Sequence, residues 1–209
     1  MTPDDIQTEY RKLGMTAGWR FMTAPAGNLT AARVAVITLN PGGRSDLETS
    51  PAQRWSSEAG SAYRIESWGG TAAGADPLQV QIKRLCALLG TTPDEILSGH
   101  FVPFRSNAWT ELPRRGEAAL FGLKLWRWAL AQSPADLFVC IGKKVVGDGI
   151  ASIFGARQVS SAPTGWGDQT FDRYRDARGR RILALPHLGR FRLLGDARRE
   201  ALFMEALKF

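Results

Sequence analysis

The sequence is poor in the residues that form disulfides and metal clusters. Cysteine occurs only twice, as Cys86 and Cys140, and both lie in apolar runs. Two cysteines cannot form a four-cysteine zinc or iron–sulfur site, and in such surroundings they indicate a reducing compartment without structural disulfides. Histidine also occurs only twice. We expect neither a metal nor a cofactor.

Long hydrophobic runs are also missing. No stretch of about 18 apolar residues occurs, so the sequence predicts no membrane-spanning helix. The first residues, MTPDDIQTEYRKLG, are acidic and polar, which is not the pattern of a secretory signal peptide. Together with the scarcity of cysteine, these features predict a cytoplasmic protein without a membrane partner, and we expect a monomer.

Acidic residues are fewer than basic ones. The chain of 209 residues has 27 lysines and arginines against 20 acidic residues, which gives a net charge of +7. Residues 173–209 alone contain ten basic and four acidic side chains. A basic surface at one end favours a polyanionic partner, so DNA, double- or single-stranded, is the partner we expect. A soluble protein that is merely rich in arginine is the alternative.

Helical and strand patterns alternate along the chain. Thr2 and Pro3 predict the start of a first helix, and the run ARVAVITL at 32–39 is apolar and β-branched, as in a buried strand. The other predicted strands are 100–104, 137–141 and 181–185, with possible short ones near 157–161 and 171–175, and the other predicted helices are 76–90, 92–99, 117–132, 143–154 and 196–209. This alternation predicts a single α/β domain over residues 1–209, with three α/β/α layers around a central, mainly parallel four-stranded sheet.

Ligands bind beyond the carboxyl ends of the strands in such sheets. The segments that follow predicted strands are therefore the candidates for a site, namely 40–45, 104–109, 142–144 and 186–191. His100 and His187 both fall at or after strand ends, although a histidine can also be only a structural hydrogen-bonding residue. Residues 44–76 are polar and irregular, which is typical of a functional or mobile loop.

The first predicted strand ends in a turn cluster formed by Asn40, Pro41, Gly42 and Gly43. Asparagine can accept and donate hydrogen bonds and can hold one water molecule, while glycine exposes backbone N–H groups. These residues can bind a ligand at the strand end. A tight turn without a ligand is the alternative interpretation.

This strand ending in L-N-P-G resembles the first motif of the uracil-DNA glycosylase superfamily. It is most similar to the mismatch-specific and single-strand-selective branches, whose pattern is G-[IM]-N-P-G. The order of later segments is similar from residue 34 to the end of the chain: a buried strand with a polar end at 100–104, the strand LFVCIG followed by a helix, and the strand LALPHLG before the last helix. The resemblance implies the uracil-DNA-glycosylase-like fold. It also implies a monofunctional DNA glycosylase that hydrolyses the N-glycosidic bond of uracil or a related damaged base.

The resemblance assigns roles to individual residues. Asn40 matches the motif asparagine that positions the hydrolytic water, and His187 matches the second-motif histidine that supports charge developing on the base. His100 falls where the family has the asparagine that reads the pyrimidine edge, with Asn107 as the alternative. The remaining expected contacts are Pro41 and Gly42 beside the base, Trp55 or Tyr63 stacked on it, and Leu188 or Phe191 as a minor-groove wedge.

Basic residues near these turns are candidates for phosphate contacts. Arg190 and Arg192 flank the His187 turn, and Lys143 and Lys144 follow a glycine at a predicted helix start. A solvated charged surface is the alternative interpretation for these side chains.

Two departures from the family pattern leave other functions open. Thr38 and Leu39 precede Asn40 where the family has a glycine and an apolar residue, and the second motif reads P-H-L-G-R-F instead of H-P-S-P. Either change can alter base choice or abolish excision. The alternatives are a catalytically inactive nucleic-acid-binding member of the same fold and a nucleotide or nucleoside hydrolase. Asp46 and Glu48 are alternative bases near Asn40, although exposed carboxylates are usually only solvated.

Overall fold

The computed structural model describes residues 1–43 and 53–209. The helices are α1 (Pro3–Lys12), α2 (Asn28–Ala31), α3 (Ala62–Ile65), α4 (Pro77–Leu88), α5 (Arg115–Leu130), α6 (Asp148–Phe154) and α7 (Ala197–Ala206). The strands are β1 (Trp19–Arg20), β2 (Val34–Thr38), β3 (Gln53–Arg54), β4 (Leu97–His100), β5 (Leu137–Ile141), β6 (Arg157–Pro163), β7 (Thr170–Arg175) and β8 (Arg181–Leu185). A π-helical turn, Lys143–Gly147, leads into α6. Across these two ranges, no helix combines the length and the apolar character needed to cross a membrane.

Among the described residues, six strands form the main sheet in the order β4–β2–β5–β8–β7–β6. The first four are parallel to one another, whereas β7 pairs antiparallel with both β8 and β6. The predicted α/β class and mainly parallel sheet are confirmed. The predicted number of four strands is correct only for the parallel part, because the hairpin of β6 and β7 joins the sheet and extends it to six.

Side chains of the strands alternate between two cores, one on each face of the sheet. Phe138 and Cys140 of β5 belong to the core that contains α1, α5 and α6. Val139 and Ile141 belong to the core that contains α4 and α7. Helices therefore cover both faces, as the alternating pattern predicts. Cys86 lies in the second core, so the two buried cysteines are on opposite faces and unpaired, and burial raises the pKa of the Cys86 thiol to about 12.

Two helix starts agree with the sequence signals. The backbone N–H of Thr2 donates to Asp5 Oδ2 at 2.7 Å, and Pro3 is the first residue of α1. Asp76 caps α4, where its Oδ1 accepts a hydrogen bond from the Leu78 N–H at 2.8 Å. Each cap satisfies a backbone group that the first helical turn leaves without an intrahelical partner.

Two predicted elements around β4 are wrong. Residues 93–95 form a turn instead of a helix, and the strand is Leu97–His100 instead of 100–104. Gly99 has the character of a turn residue, yet here it allows a close crossing of backbones. A Cβ at Gly99 would lie 2.6 Å from the carbonyl oxygen of Phe21. His100 is therefore the last residue of β4, at its carboxyl end, and not the first residue of a strand.

Residues 53–76, predicted to be irregular, contain β3 and α3 and are anchored by a buried ion pair. The Arg20 guanidinium donates to both carboxylate oxygens of Glu66, at 2.7 and 2.8 Å. Trp68 Nε1 donates to the same carboxylate at 2.9 Å. Burial on its own would raise the pKa of Glu66, but the hydrogen bonds and charge of Arg20 outweigh it and lower the pKa. The ion pair ties this part of the chain to β1.

Gly122 lets α5 approach the chain immediately after β4. A Cβ at Gly122 would lie 2.3 Å from the carbonyl oxygen of Phe101, whereas a Cβ at Gly116 on the same helix would have nothing within 4 Å. We expect Gly122→Ala to lower the free energy of unfolding by about 1–3 kcal/mol, because the added methyl overpacks against backbone. Gly116→Ala should raise it by about 0.5 kcal/mol through helix propensity. Urea denaturation measures both changes, and shifts of the same sign would contradict this packing.

Candidate active site

The carboxyl ends of the parallel strands lie side by side along one edge of the sheet. Thr38, the last residue of β2, pairs with Ile141 of β5, which in turn pairs with Leu185 of β8. Asn40 and His187 each follow this line by two residues. Strands are about 4.8 Å apart, so β2 and β8, with β5 between them, are separated by about 10 Å. Asn40 is half-buried and His187 is exposed, so both lie at the same accessible edge.

The amide nitrogen of Asn40 is held by the protein itself. Its Nδ2 donates to the carbonyl oxygens of Pro41 at 3.1 Å and Phe104 at 3.4 Å, and to Ser106 Oγ at 2.9 Å. Carbonyl oxygens only accept hydrogen bonds, so the NH₂ group of the amide must be the side that faces them. The Oδ1 of Asn40 is therefore turned away from these contacts, where it can accept a hydrogen bond from a water molecule.

The rest of this turn is attached to the segment after β4. The Ser106 N–H donates to the Pro41 carbonyl oxygen at 3.1 Å, and the Arg105 guanidinium donates to the carbonyl oxygen of Gly42. Pro41 is buried, while Gly42 and Gly43 are exposed. Among the described residues, a Cβ at Gly42 would have nothing within 4 Å, and neither glycine N–H donates to a backbone group. The turn thus offers open space and two N–H donors to a ligand.

His187 is held in one neutral form by its own turn. Its Nδ1 accepts a hydrogen bond from the Arg190 backbone N–H at 3.2 Å, so the proton of the neutral ring is on Nε2. The ring packs against Gly189, where a Cβ would lie 3.0 Å from His187 Cε1. Although the residue is exposed overall, partial burial of the ring, together with the charge of Arg190, lowers the pKa of His187. At neutral pH it presents an Nε2–H donor without a positive charge.

His100 lies at the same edge but inside the fold. It is 8% exposed, its Nδ1 lies 2.8 Å from Thr38 Oγ1, and its carbonyl oxygen accepts a hydrogen bond from Trp126 Nε1 at 2.9 Å. Burial, with the charges of Arg20 and Arg105, keeps the pKa of His100 well below its ordinary value, so the ring is neutral. These contacts support a structural role for His100 and argue against the base-reading role that the resemblance implies.

The two aromatic rings expected to stack on a base are used in packing. Tyr63 is 0% exposed and meets Trp68 edge-on, with 5.5 Å between ring centroids. This burial leaves no face of Tyr63 for a base. Trp55 is half-buried and packs against Phe21 at 5.2 Å and Trp128 at 5.8 Å. Its contacts therefore hold residues 53–68 on the core.

The two candidates for a wedge, both in the loop after β8, differ in exposure. Leu188 is 0% exposed and belongs to the core with α4 and α7, so it cannot enter a DNA groove without leaving that core. The wedge role predicted for Leu188 is therefore wrong. Phe191 is half-buried at the surface, and Arg190 and Arg192 are exposed. These three side chains can contact a strand that passes over His187.

The two lysines after β5 differ in whether their charge is available for a phosphate contact. Lys143 Nζ forms an ion pair with Asp172 Oδ2 at 2.8 Å and also donates to Thr170 Oγ1. Its charge is neutralised within the protein, which argues against the predicted phosphate contact. Lys144 is exposed and can make such a contact, and Asn107 is exposed in the segment after β4.

Two further sequence hypotheses concern bases and metals. Asp46 and Glu48 lie outside the described residues. Within 1–43 and 53–209, no three His, Cys, Asp or Glu side chains are grouped so that they could hold a metal ion. The groups that the described residues bring to this edge include an amide, an imidazole and backbone N–H groups.

The residues that hold this edge in place carry no signal of that role in the sequence. Arg105 and Ser106 lie in the segment 104–109, which follows a strand and was a candidate for that reason, but their partners in the Asn40 turn are more than sixty residues away. Gly189 is visible in the run P-H-L-G, yet its contact with the His187 ring depends on the fold of the loop. Comparison of the chain with known protein families and with curated proteins finds no match.

Proposed function

We propose that this protein is a monofunctional DNA glycosylase that hydrolyses the N-glycosidic bond of uracil or a related damaged base. One observation carries the proposal. An acceptor suited to a water molecule, Asn40 Oδ1, and an uncharged donor, His187 Nε2–H, lie at the same edge of a parallel sheet. Hydrolysis of an N-glycosidic bond requires groups of these two types on opposite sides of the bond.

The proposed reaction uses each group in turn. The C1′–N bond breaks, its electron pair leaves with the base, and a cationic sugar and an anionic base result. His187 Nε2–H donates to the base oxygen, and the N–H groups of Gly42 and Gly43, which donate to no described backbone group, stabilise the same developing charge. A water molecule held by Asn40 Oδ1 then bonds to C1′. Because an amide is not basic, the attacking water loses one proton to solvent and leaves a hydroxyl on C1′, and the anionic base takes up one proton from solvent.

The surface around this edge suits a DNA strand. Arg190, Arg192 and Lys144 are exposed near the strand ends, where they can neutralise phosphates. A base inside a duplex must leave the stack to reach the edge, which costs a few kcal/mol. Phe191, half-buried at the surface, can fill the gap that the base leaves.

A second candidate function is nucleic-acid binding without excision. It is favoured by the packing of Tyr63, Trp55 and His100, because these rings were expected to hold the base and are instead used within the fold. Such a protein would bind DNA through the same arginines and leave the target base in place.

The test is a panel of fluorescent oligonucleotides, single- and double-stranded, carrying uracil, hypoxanthine, xanthine or mismatched thymine. They are incubated with excess protein and then cleaved with alkali at abasic sites. We expect strand scission with uracil or a related base. Salt-sensitive binding without scission would favour the second candidate. Turnover of free nucleosides by a protein that does not bind DNA would indicate a small-molecule hydrolase, and the proposal would be wrong.

A further inference from the structure

The turn between β6 and β7 lies at the same edge of the sheet as His187. Strand β7 runs antiparallel to β8, with Asp172 opposite Ala184, so β7 begins where β8 ends. Residues 164–169 therefore lie beside the loop that follows β8. Strand β7 is the next strand after β8 on the side away from β2, and neighbouring strands are about 5 Å apart. The turn therefore lies on the far side of His187 from Asn40. A strand whose target nucleotide lies between Asn40 and His187 can continue across this turn.

The turn presents an exposed tryptophan next to aromatic and basic side chains. Trp166 is 37% exposed and meets the Phe191 ring edge-on, with 6.5 Å between centroids. The Arg199 guanidinium lies 5.1 Å from the centre of the Trp166 ring, and the Arg190 guanidinium lies 5.4 Å from that of Phe191. We name Trp166, Phe191, Arg190 and Arg199 the hairpin platform.

The charges around the hairpin platform are mostly positive. Arg192 and Arg198 are exposed in the adjoining loop and helix. The acidic neighbours are Asp168 in the turn, which is exposed, and Asp196, whose Oδ1 lies 4.0 Å from Arg199 Nε. Arginine beside an aromatic ring suits a partner that has both phosphates and flat bases.

The turn that holds Trp166 is tightly hydrogen-bonded. The buried Thr164 donates through its N–H and its hydroxyl to the Gln169 carbonyl oxygen, both at 3.0 Å, and its Oγ1 accepts from the Trp166 N–H at 3.1 Å. Gly165 and Gly167 have φ of +76° and +49°, which favours glycine at both positions. The hydrogen-bonded turn thus holds the large apolar ring of Trp166 at the surface. Because the turn is already ordered, less conformational entropy is lost when the ring stacks on a ligand.

We propose that the hairpin platform stacks on an unpaired base of a single-stranded DNA segment next to the target nucleotide. This inference rests on the proposed function for the position of the target, but the binding itself does not require excision. An unpaired base offers both faces to an aromatic ring, whereas in a duplex those faces are covered by neighbouring bases. The hairpin platform therefore gives the protein a preference for single-stranded over double-stranded DNA.

The test measures binding by fluorescence anisotropy with a labelled oligothymidylate, and with a labelled duplex, neither of which contains uracil. We expect Trp166→Ala to weaken binding of the single strand by about 10-fold, as for loss of one base–aromatic stack. Duplex binding should stay unchanged, and Trp166→Phe should retain most of the single-strand affinity because it keeps a ring. Val159→Ala, which removes another exposed apolar side chain of the same hairpin, is the matched control and should bind as the wild type does.

Thermal unfolding of each variant checks that the substitution has not disrupted the fold. Equal single-strand affinity of wild type and Trp166→Ala, or an equal loss for single strand and duplex, would overturn the inference. Uracil release, measured separately on the same proteins, distinguishes the two proposals. If uracil is released but binding does not depend on Trp166, only the role of the hairpin platform is overturned. If binding depends on Trp166 but no uracil is released, only the glycosylase proposal is overturned.

Discussion

Replacing Asn40 with alanine should lower the rate of uracil release by about 10²- to 10³-fold, the effect of removing one preorganised polar group from an active site. The side chain is oriented by three hydrogen bonds from its Nδ2, which leave Oδ1 for the water. Alanine removes the water acceptor. Single-turnover measurements at enzyme excess report this step without interference from product release.

Asn28 provides a matched control for this experiment. Its Nδ2 also donates to two backbone carbonyl oxygens, those of Asp94 at 2.7 Å and Ile96 at 2.8 Å. These acceptors precede β4, at the opposite edge of the sheet from Asn40. Asn28→Ala should therefore lower the free energy of unfolding by about 1–3 kcal/mol, as for buried acceptors left unpaired, and leave the release rate of the folded protein unchanged. A wild-type rate in Asn40→Ala would remove Asn40 from the mechanism.

The pH dependence of uracil release should follow the protonation of His187. Because its pKa is lowered below the ordinary value for histidine, the ring is neutral at neutral pH, and the rate should be constant in that range. As the pH falls through the lowered pKa, a proton binds to Nδ1, which then can no longer accept the Arg190 N–H. The turn loses the hydrogen bond that orients the ring, and the rate should fall.

Two variants separate this explanation from a general loss of activity in acid. His187→Ala should lower release by about 10²- to 10³-fold, as for loss of one donor to a developing anion. His187→Gln keeps an N–H donor that does not titrate in this range, so it should recover part of the rate and abolish the fall in acid. An unchanged acid limb in His187→Gln would assign the titration to another group.

Much of the fold could be predicted from local signals. The caps at Thr2 and Asp76 and the apolar runs of β2, β5 and β8 depend on residues close in sequence, and the structure confirms them. Strand β4 was displaced in the prediction because Ser98 and Gly99 have low strand propensity. Its position depends instead on the crossing of β4 by residues 21–23, seen in the hydrogen bond from Thr23 N–H to the Ser98 carbonyl oxygen at 2.9 Å.

The candidate site, like the fold, has features that local sequence predicts and features that it does not. That Asn40 and His187 lie at one edge follows from strand order and direction, which hydrophobic periodicity and the alternation of helices and strands indicate. The sequence alone determined this much, together with the class of the fold and the excess of positive charge. It could not distinguish His100 from His187, since their burial depends on contacts with residues far away in the chain.

Only the tertiary structure decided which side chains are available to a ligand. His100 is engaged by Thr38, Tyr63 and Leu188 are enclosed by the core, and Trp166 remains at the surface. The physical reason is that burial and hydrogen bonding are set by contacts between residues far apart in the chain, such as the 62 positions that separate Thr38 from His100. Local sequence determines which segments become helices and strands, but exposure is determined by what packs against them.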